Sequence, residues 1–423
     1  MIDPAHPGLD LARRALASPR FTQALTEVTI AVALCMHALR AVIGWPGALA
    51  VLAALVVLAG LSLAGQPERV EWRGILPISL LALVGLMVVS IVWSQYPLAS
   101  LGGVAYSLAF AFLGLYIALV RDTIQVVRGV GNALRFVLTA SFALEILSGL
   151  LIDTPLTFLG IAGNLAQGGP VQGLAGTRNY FAFMGGLAAL SFWIEYRTRS
   201  VPRGLTAFSL ALAAATIVFA RSPVTGLVLA AVLVAGLVLV VLRRLDAAPR
   251  RAVQSVLLIS AGVAALLGWL LRQQLLALAG ATADVTIRTS VWADLESFIG
   301  QYPMQGWGWL GAWQRDLYPY LVVRDAVGRQ PASALNAYVD VTVQLGFIGL
   351  GLLLVALGLA FVRSWLVATE RRSTVHVWPA LTLVLLATTS MTESYLLVEA
   401  GFMLFVIAAF TAARERSWRG RLG

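Results

Sequence analysis

The sequence predicts an all-α fold, a polytopic helical membrane protein, and three observations predict it. Apolar runs of about 20 residues, the length that crosses a bilayer, recur along the whole chain. Charged residues make up 12% of the 423 residues, where a soluble domain carries about 25%. The sequence contains no lysine, and its arginines gather in the short segments between apolar runs. The expectation is therefore a single transmembrane domain over 1–423, with no soluble domain of any size.

The runs divide into about twelve spans. They fall near 22–40, 45–65, 74–94, 100–120, 131–152, 179–196, 204–220, 223–242, 252–271, 337–362, 377–391 and 395–413. Arginine sets their direction, because cytoplasmic loops hold an excess of basic residues. With Arg13, Arg14 and Arg20 inside, alternate loops carry Arg69/Arg73, Arg121/Arg128, Arg197/Arg199/Arg203, Arg243/Arg244/Arg250/Arg251 and Arg371/Arg372. The tail, with Arg414 and Arg416, falls on the same side. The opposite loops hold only Arg40, Arg178, Arg221, Arg272, Arg288, Arg315, Arg324 and Arg329. Both termini are thus expected in the cytoplasm of a multi-pass plasma-membrane protein. The first run lacks a small-residue cleavage site and is expected to stay as a helix.

The net charge of +10 belongs to these loops, so it argues for orientation and not for nucleic-acid binding. Cys35 is the only cysteine, which excludes a disulfide framework. His6, His37 and His376 are scattered and have no metal-ligand spacing, so neither a metal nor a cofactor is expected.

Two external segments exceed what a connector needs, about 153–177 and about 273–335. The second is the large extracytoplasmic loop. Val291, Leu295 and Ile299 recur there at helical spacing, so it is expected to contain a helix lying on the membrane. Its aromatics Trp307, Trp309, Trp313, Tyr318 and Tyr320 suit sugar stacking or, preferentially, an interfacial belt anchoring the segment.

Arg288 stands in this loop. Arg178 begins a helix after the first long loop, in Thr177-Arg178-Asn179, and Arg221 joins two spans in Arg221-Ser222-Pro223. All three are expected at the outer boundary. Guanidinium grips phosphate bidentately and stays charged, and the helix N-termini nearby add amide donors. The bland alternative is an arginine snorkelling to lipid phosphate. In the helix after the loop, Asn336, Asp340 and Gln344 form one polar stripe at i, i+4 and i+8. A carboxylate inside a membrane helix is either functional or a structural hydrogen-bond partner. Glu393, in Thr392-Glu393-Ser394, is placed to face the same space. Gly346 and Gly349 read as close helix packing, and Glu145 as a buried acid without an assigned purpose.

These residues resemble the O-antigen ligase / O-antigen polymerase superfamily of bacterial membrane glycosyltransferases. The resemblance rests on Trp93-Ser94-Gln95-Tyr96-Pro97 with Ser100, Gly173 to Ala182, Arg221-Ser222, and Arg288 with Trp292, Pro303, Gly306 and Gly308. Asn336 to Gly349 and Thr392-Glu393-Ser394 complete it. It implies metal-independent, inverting transfer at the outer face of the plasma membrane. The implied donor is a glycan on polyprenyl diphosphate, and the implied acceptor is a lipid-anchored sugar (ligase) or another lipid-linked repeat (polymerase). Arg288, Arg221 and Arg178 would hold the diphosphate, and Asn336, Asn179 and Trp292 would contact substrate.

One departure matters. The family's ligases show His-Asn before the following helix, with the histidine as base, and here that position is Leu335. Asp340 is the first candidate to replace it and Glu393 the second. Two other functions remain open: a lipid-linked-sugar transporter or flippase, which would need charges near mid-membrane, and a non-catalytic relative that binds the lipid glycan.

Overall fold

The structure, a computed structural model, describes residues 14–66, 77–246, 249–250, 252–256 and 282–415. Its helices are α1 Pro19–Leu34, α2 Met36–Ala64, α3 Ile78–Val89, α4 Pro97–Val120, α5 Thr123–Ile146, α6 Arg178–Thr198, α7 Arg203–Ala220, α8 Thr225–Leu242, α9 Thr282–Gln301, α10 Ala337–Glu370, α11 Val377–Thr389 and α12 Glu399–Glu415. The described residues contain no strand, only an isolated bridge between Leu156 and Ile161. Met36–Ala64, Pro97–Val120, Thr123–Leu151, Arg203–Ala220, Thr225–Leu242 and Ala337–Glu370 are long and apolar enough to cross a membrane. The chain is a helical membrane protein. Helices stand at the positions of the expected spans except 252–271, most of which lies outside the described residues.

Local chemistry sets many of the boundaries. Ser18, Asp122, Thr177 and Asn336 each accept a hydrogen bond from an amide of the first turn that follows them, satisfying donors a helix start leaves orphaned. Pro19 and Pro97 begin α1 and α4, where a missing N–H costs nothing. Four spans differ from expectation. The first two meet inside α2, which breaks at Gly44 (φ 70°) just before Pro46 rather than at a loop. α5 starts at Thr123, not near 131, because Asp122 caps it there. α10 continues to Glu370.

The connections sort onto two ends. At one, Arg40 pairs with Glu399, Asn179 bonds Glu393, Asn336 bonds Met391 O, and Trp93 bonds Gln305 O. At the other, Thr123 bonds Glu415, Arg414 bonds Ala118 O, and Arg250 bonds Thr369 O. α12 forms the centre: every residue from Ala400 to Ala413 is buried, against α4, α10 and α11 among others. A helix apolar on all sides belongs inside the bundle.

The 273–335 loop contains α9, as expected, but its aromatics correct the interfacial-belt reading. Trp307, Trp309, Trp313 and Tyr320 are buried. Trp307, Trp313 and Tyr320 pack with Val291, Leu295 and Phe298 of α9 as a core of their own. Their indole N–H groups reach Phe298 O, Ser107 Oγ and Asp340 Oδ1 respectively for Trp307, Trp309 and Trp313. Each buried aliphatic or aromatic side chain of such a core contributes about 1.5–3 kcal/mol, so the loop has reason to hold one shape. Only Tyr318 keeps the exposure a belt requires.

Gly346 is a close-packing glycine, but it packs against the 303–308 turn rather than another helix. Its φ of 67° breaks α10 and leaves backbone groups without partners inside the helix. The turn 303–308 supplies them: Trp307 N donates to Val343 O, Gly308 N to Gln344 O, and Phe347 N to Pro303 O. Gly306 and Gly308 are needed because a Cβ at either would collide with Gln344 backbone or Ser94. The Trp93–Ser100 motif forms the other wall. Ser100 donates to Ser94 Oγ at 2.6 Å, and Trp309 N donates to Ser90 Oγ at 3.0 Å.

Candidate functional site

Four segments meet at one hydrogen-bonded cluster near the first end. Arg288 Nη1 donates to Thr392 O at 2.8 Å and Nη2 to Glu393 Oε1 at 3.2 Å. The same Glu393 oxygen accepts from Asn179 Nδ2 at 2.7 Å, and Asn179 Oδ1 accepts from Ser222 Oγ at 2.8 Å. The chain Arg288–Glu393–Asn179–Ser222 thus ties the loop helix α9, the start of α6, the α7–α8 junction and the turn before α12 together. Arg288 and Glu393 are both buried, so Arg288 is not snorkelling to lipid. The space beside Asn179, Ser222 and Glu393 is about 10 Å³, enough for a single water at most.

The other two arginines sit at the edge of this cluster. Arg221 is exposed, caps α7 at φ 45° and forms no ion pair among the described residues. A left-handed backbone costs an ordinary residue about 1–2 kcal/mol, and here it turns Arg221 out of the helix. Its guanidinium lies against Gly168 of the 153–177 segment, where a side chain would crowd it. Arg178, half-buried, is the first residue of α6 beside Asn179.

The polar stripe of α10 is a structural joint. Gln344 Oε1 accepts from the amides of Leu310 and Gly311, and its Nε2 donates to Gly311 O and to Asp340 Oδ1. Asp340 accepts from Trp313 at 2.8 Å and from Ala334 N at 3.3 Å. Its carboxylate is committed to holding the loop. Asn336 caps α10, and Trp292 donates to Ala334 O at 2.9 Å, so both fasten the loop's end. Leu335, between them, is held at φ 52°.

A cavity of about 220 Å³ adjoins the cluster. Its lining includes His37, Arg40, Thr177, Tyr180, Ser333, Asp340, Ser394 and Glu399. Arg40 and Glu399 pair at 2.5 Å, and Tyr106 donates to Glu399 at 2.9 Å. The sequence reading named neither Arg40 nor Glu399 as a site residue, since one sits in the first span and the other starts the last. The signal available was that each is a charge at the outer end of an apolar run.

Two more buried acids find their purpose. Glu145 accepts from the amides of Gln172 and Gly173 and so fastens the 153–177 segment. Glu195 pairs with Arg135 across α5 and α6, with Ser209 and Asn132 also bound to the guanidinium. Sequence reading passed over this pair because Arg135 lies inside an apolar run. Among the described residues, no cluster of His, Cys, Asp or Glu has the grouping of a metal site.

No curated protein matches the chain. The O-antigen ligase family model matches residues 208–354, from within α7 into α10. The match includes Arg221, Ser222, Arg288, the 303–308 turn and the Asn336–Asp340 stripe, while Asn179 and Glu393, which the fold bonds to them, lie outside it. The match, over about a third of the chain, supports a ligase-like, glycan-transferring activity on lipid-linked substrates and a likeness of this region to the O-antigen ligase family.

Proposed function

We propose that this protein transfers or polymerises a glycan from a polyprenyl-diphosphate carrier at the outer face of the plasma membrane, as an inverting transferase that needs no metal. The observation that carries the reading is the hydrogen-bonded convergence of Arg288, Asn179, Ser222 and Glu393, with Arg221 and Arg178 at its edge. The positive-inside pattern of the loops puts this end outside and both termini in the cytoplasm.

Arg221 is the first contact for the diphosphate, because it is exposed and forms no ion pair among the described residues. Arg178 lies at the N-terminus of α6, where helix amides favour an anion. Arg288 lies beneath, where its pairing with Glu393 holds the cluster in shape. Attack by an acceptor hydroxyl on the anomeric carbon forms the new glycosidic bond and breaks the bond to the diphosphate, whose departing oxygen takes up the hydroxyl proton. The arginines stabilise the charge that builds on the departing oxygen. A leaving group of this kind asks little of a base. Glu393 and Asp340 serve the reaction chiefly by position, since their oxygens are bonded in place.

The test is complementation of a strain lacking the gene, read as surface glycan. Wild type and Arg288→Lys should restore glycan, the latter partly, while Arg221→Ala should not. Full restoration by Arg221→Ala would sink the assignment.

A further inference from the structure

The 220 Å³ cavity beside the arginine cluster carries chemistry that a diphosphate does not require. Its charges are Arg40 and Glu399, which pair with each other at 2.5 Å, and the carboxyl of Asp340, so the cavity offers no net positive charge to an anion. It does offer a dense mixture of donors and acceptors. Thr177, Ser333 and Ser394 bring hydroxyls, and Tyr180 and Tyr395 bring aromatic rings packed edge to face at 4.8 Å. His37 lines this space, and its buried Nε2 has no hydrogen-bond partner among the described residues. Such a group is costly to leave unmet, and its ring is fixed in place by Gly176, where any side chain would collide with it.

The backbone adds an independent sign. Glu399 adopts φ 50°, unusual for a residue with a side chain. Conformations of this kind cost about 1–3 kcal/mol and cluster where function needs a side chain aimed. Here the turn aims the carboxylate at Arg40 and Tyr106, at the wall of the cavity. The cavity is also smaller than the roughly 300–1,000 Å³ typical of sites for drug-sized ligands. A neutral, polar, ring-sized occupant fits it best.

We propose that this cavity is a subsite for one sugar ring of the acceptor, in which His37, Arg40 and Glu399 bind its hydroxyls. The proposal deepens the glycan-transfer reading and rests on it for the word acceptor. The binding of a neutral sugar stands by itself. The cavity abuts the arginine cluster through adjacent residues on two segments, Thr177 beside Arg178 and Ser394 beside Glu393. A ring held there would present a hydroxyl toward the diphosphate side. Arg40 also covers the ring of Trp45 at 4.7 Å, so disturbing Arg40 changes that indole's environment.

The experiment titrates the detergent-purified full chain with methyl α-D-glucopyranoside, methyl β-D-galactopyranoside and methyl N-acetyl-β-D-glucosaminide, by saturation-transfer NMR and tryptophan fluorescence. At least one should bind saturably to wild type. Glu399→Gln should weaken it tenfold or more, and Arg221→Ala should leave it unchanged. Ala332→Trp, which fills the cavity from its exposed rim without removing a polar contact, should abolish it. No saturable binding to wild type, or unchanged binding by Ala332→Trp, would overturn the subsite. Sugar binding that survives Arg221→Ala while that variant also restores full surface glycan would leave the subsite standing and remove the diphosphate reading.

Discussion

Arg288 and Glu393, 105 positions apart, are joined by a buried ion pair at 3.2 Å. The pair fixes the large loop onto the turn before the last helix, and Asn179 shares the same carboxylate oxygen. Removing one member of a buried pair strands the other, which costs about 3–5 kcal/mol, whereas replacing both by apolar residues is often neutral. Arg288→Ala is therefore expected to lower thermal stability in detergent markedly, and the Arg288→Met/Glu393→Met double variant to recover most of the loss. Additive losses in the double variant would show that the two residues act separately.

The break in α10 makes a second prediction. Gly346 at φ 67° lies against the backbone of Met304 and Gln305, and Gly306 at φ 68° against that of Gln344 and Gly346, where the 303–308 turn enters the helix. A side chain at either meets both strain and collision, so Gly346→Ala and Gly306→Ala should each cost at least about 1–3 kcal/mol. Limited proteolysis should then cut the loop, which wild type protects. Gly351, with open space around its Cβ position, is the control, and alanine there should leave both readouts unchanged.

Within the bundle, Glu195 and Arg135 form a second buried pair. Glu195→Ala should destabilise by about 3–5 kcal/mol, measured by thermal unfolding of the purified protein. Because the pair sits away from the arginine cluster, any surviving folded Glu195→Gln protein should retain glycan transfer. Loss of transfer in well-folded Glu195→Gln would give the pair a role in the reaction.

Much of the fold was legible because the bilayer imposes length and polarity on each span. Asn336, Asp340 and Gln344 were also legible as one stripe from helical spacing alone. What that stripe does was not legible. Only the fold shows that Gln344 holds the amides of Leu310 and Gly311, since a polar stripe in a membrane helix looks the same whether it meets a ligand or a loop. The aromatics were misplaced for a related reason: a buried loop core and an interfacial belt have one composition, and burial distinguishes them. His37 and Arg40 come from α2 and Glu399 from α12, and a single sequence carries no mark of that pairing.

Arg221 is the residue on which function and stability separate most cleanly. It is exposed and forms no ion pair among the described residues, so Arg221→Ala should leave the melting temperature within about 1–2 °C of wild type, as surface substitutions usually change stability by less than about 0.5 kcal/mol. A charge-assisted hydrogen bond to a departing phosphate is worth about 1.5–3 kcal/mol, or roughly tenfold to a hundredfold in rate. Arg221→Lys should recover part of it, lacking the bidentate geometry.

The decisive measurement is turnover by the purified protein in lipid nanodiscs supplied with a polyprenyl-diphosphate-linked glycan and a lipid-linked acceptor, followed as release of free polyprenyl diphosphate. Wild type should release it, and Arg221→Ala, equally folded, should release it at least tenfold more slowly. Equal rates for the two proteins would contradict the diphosphate site at this cluster.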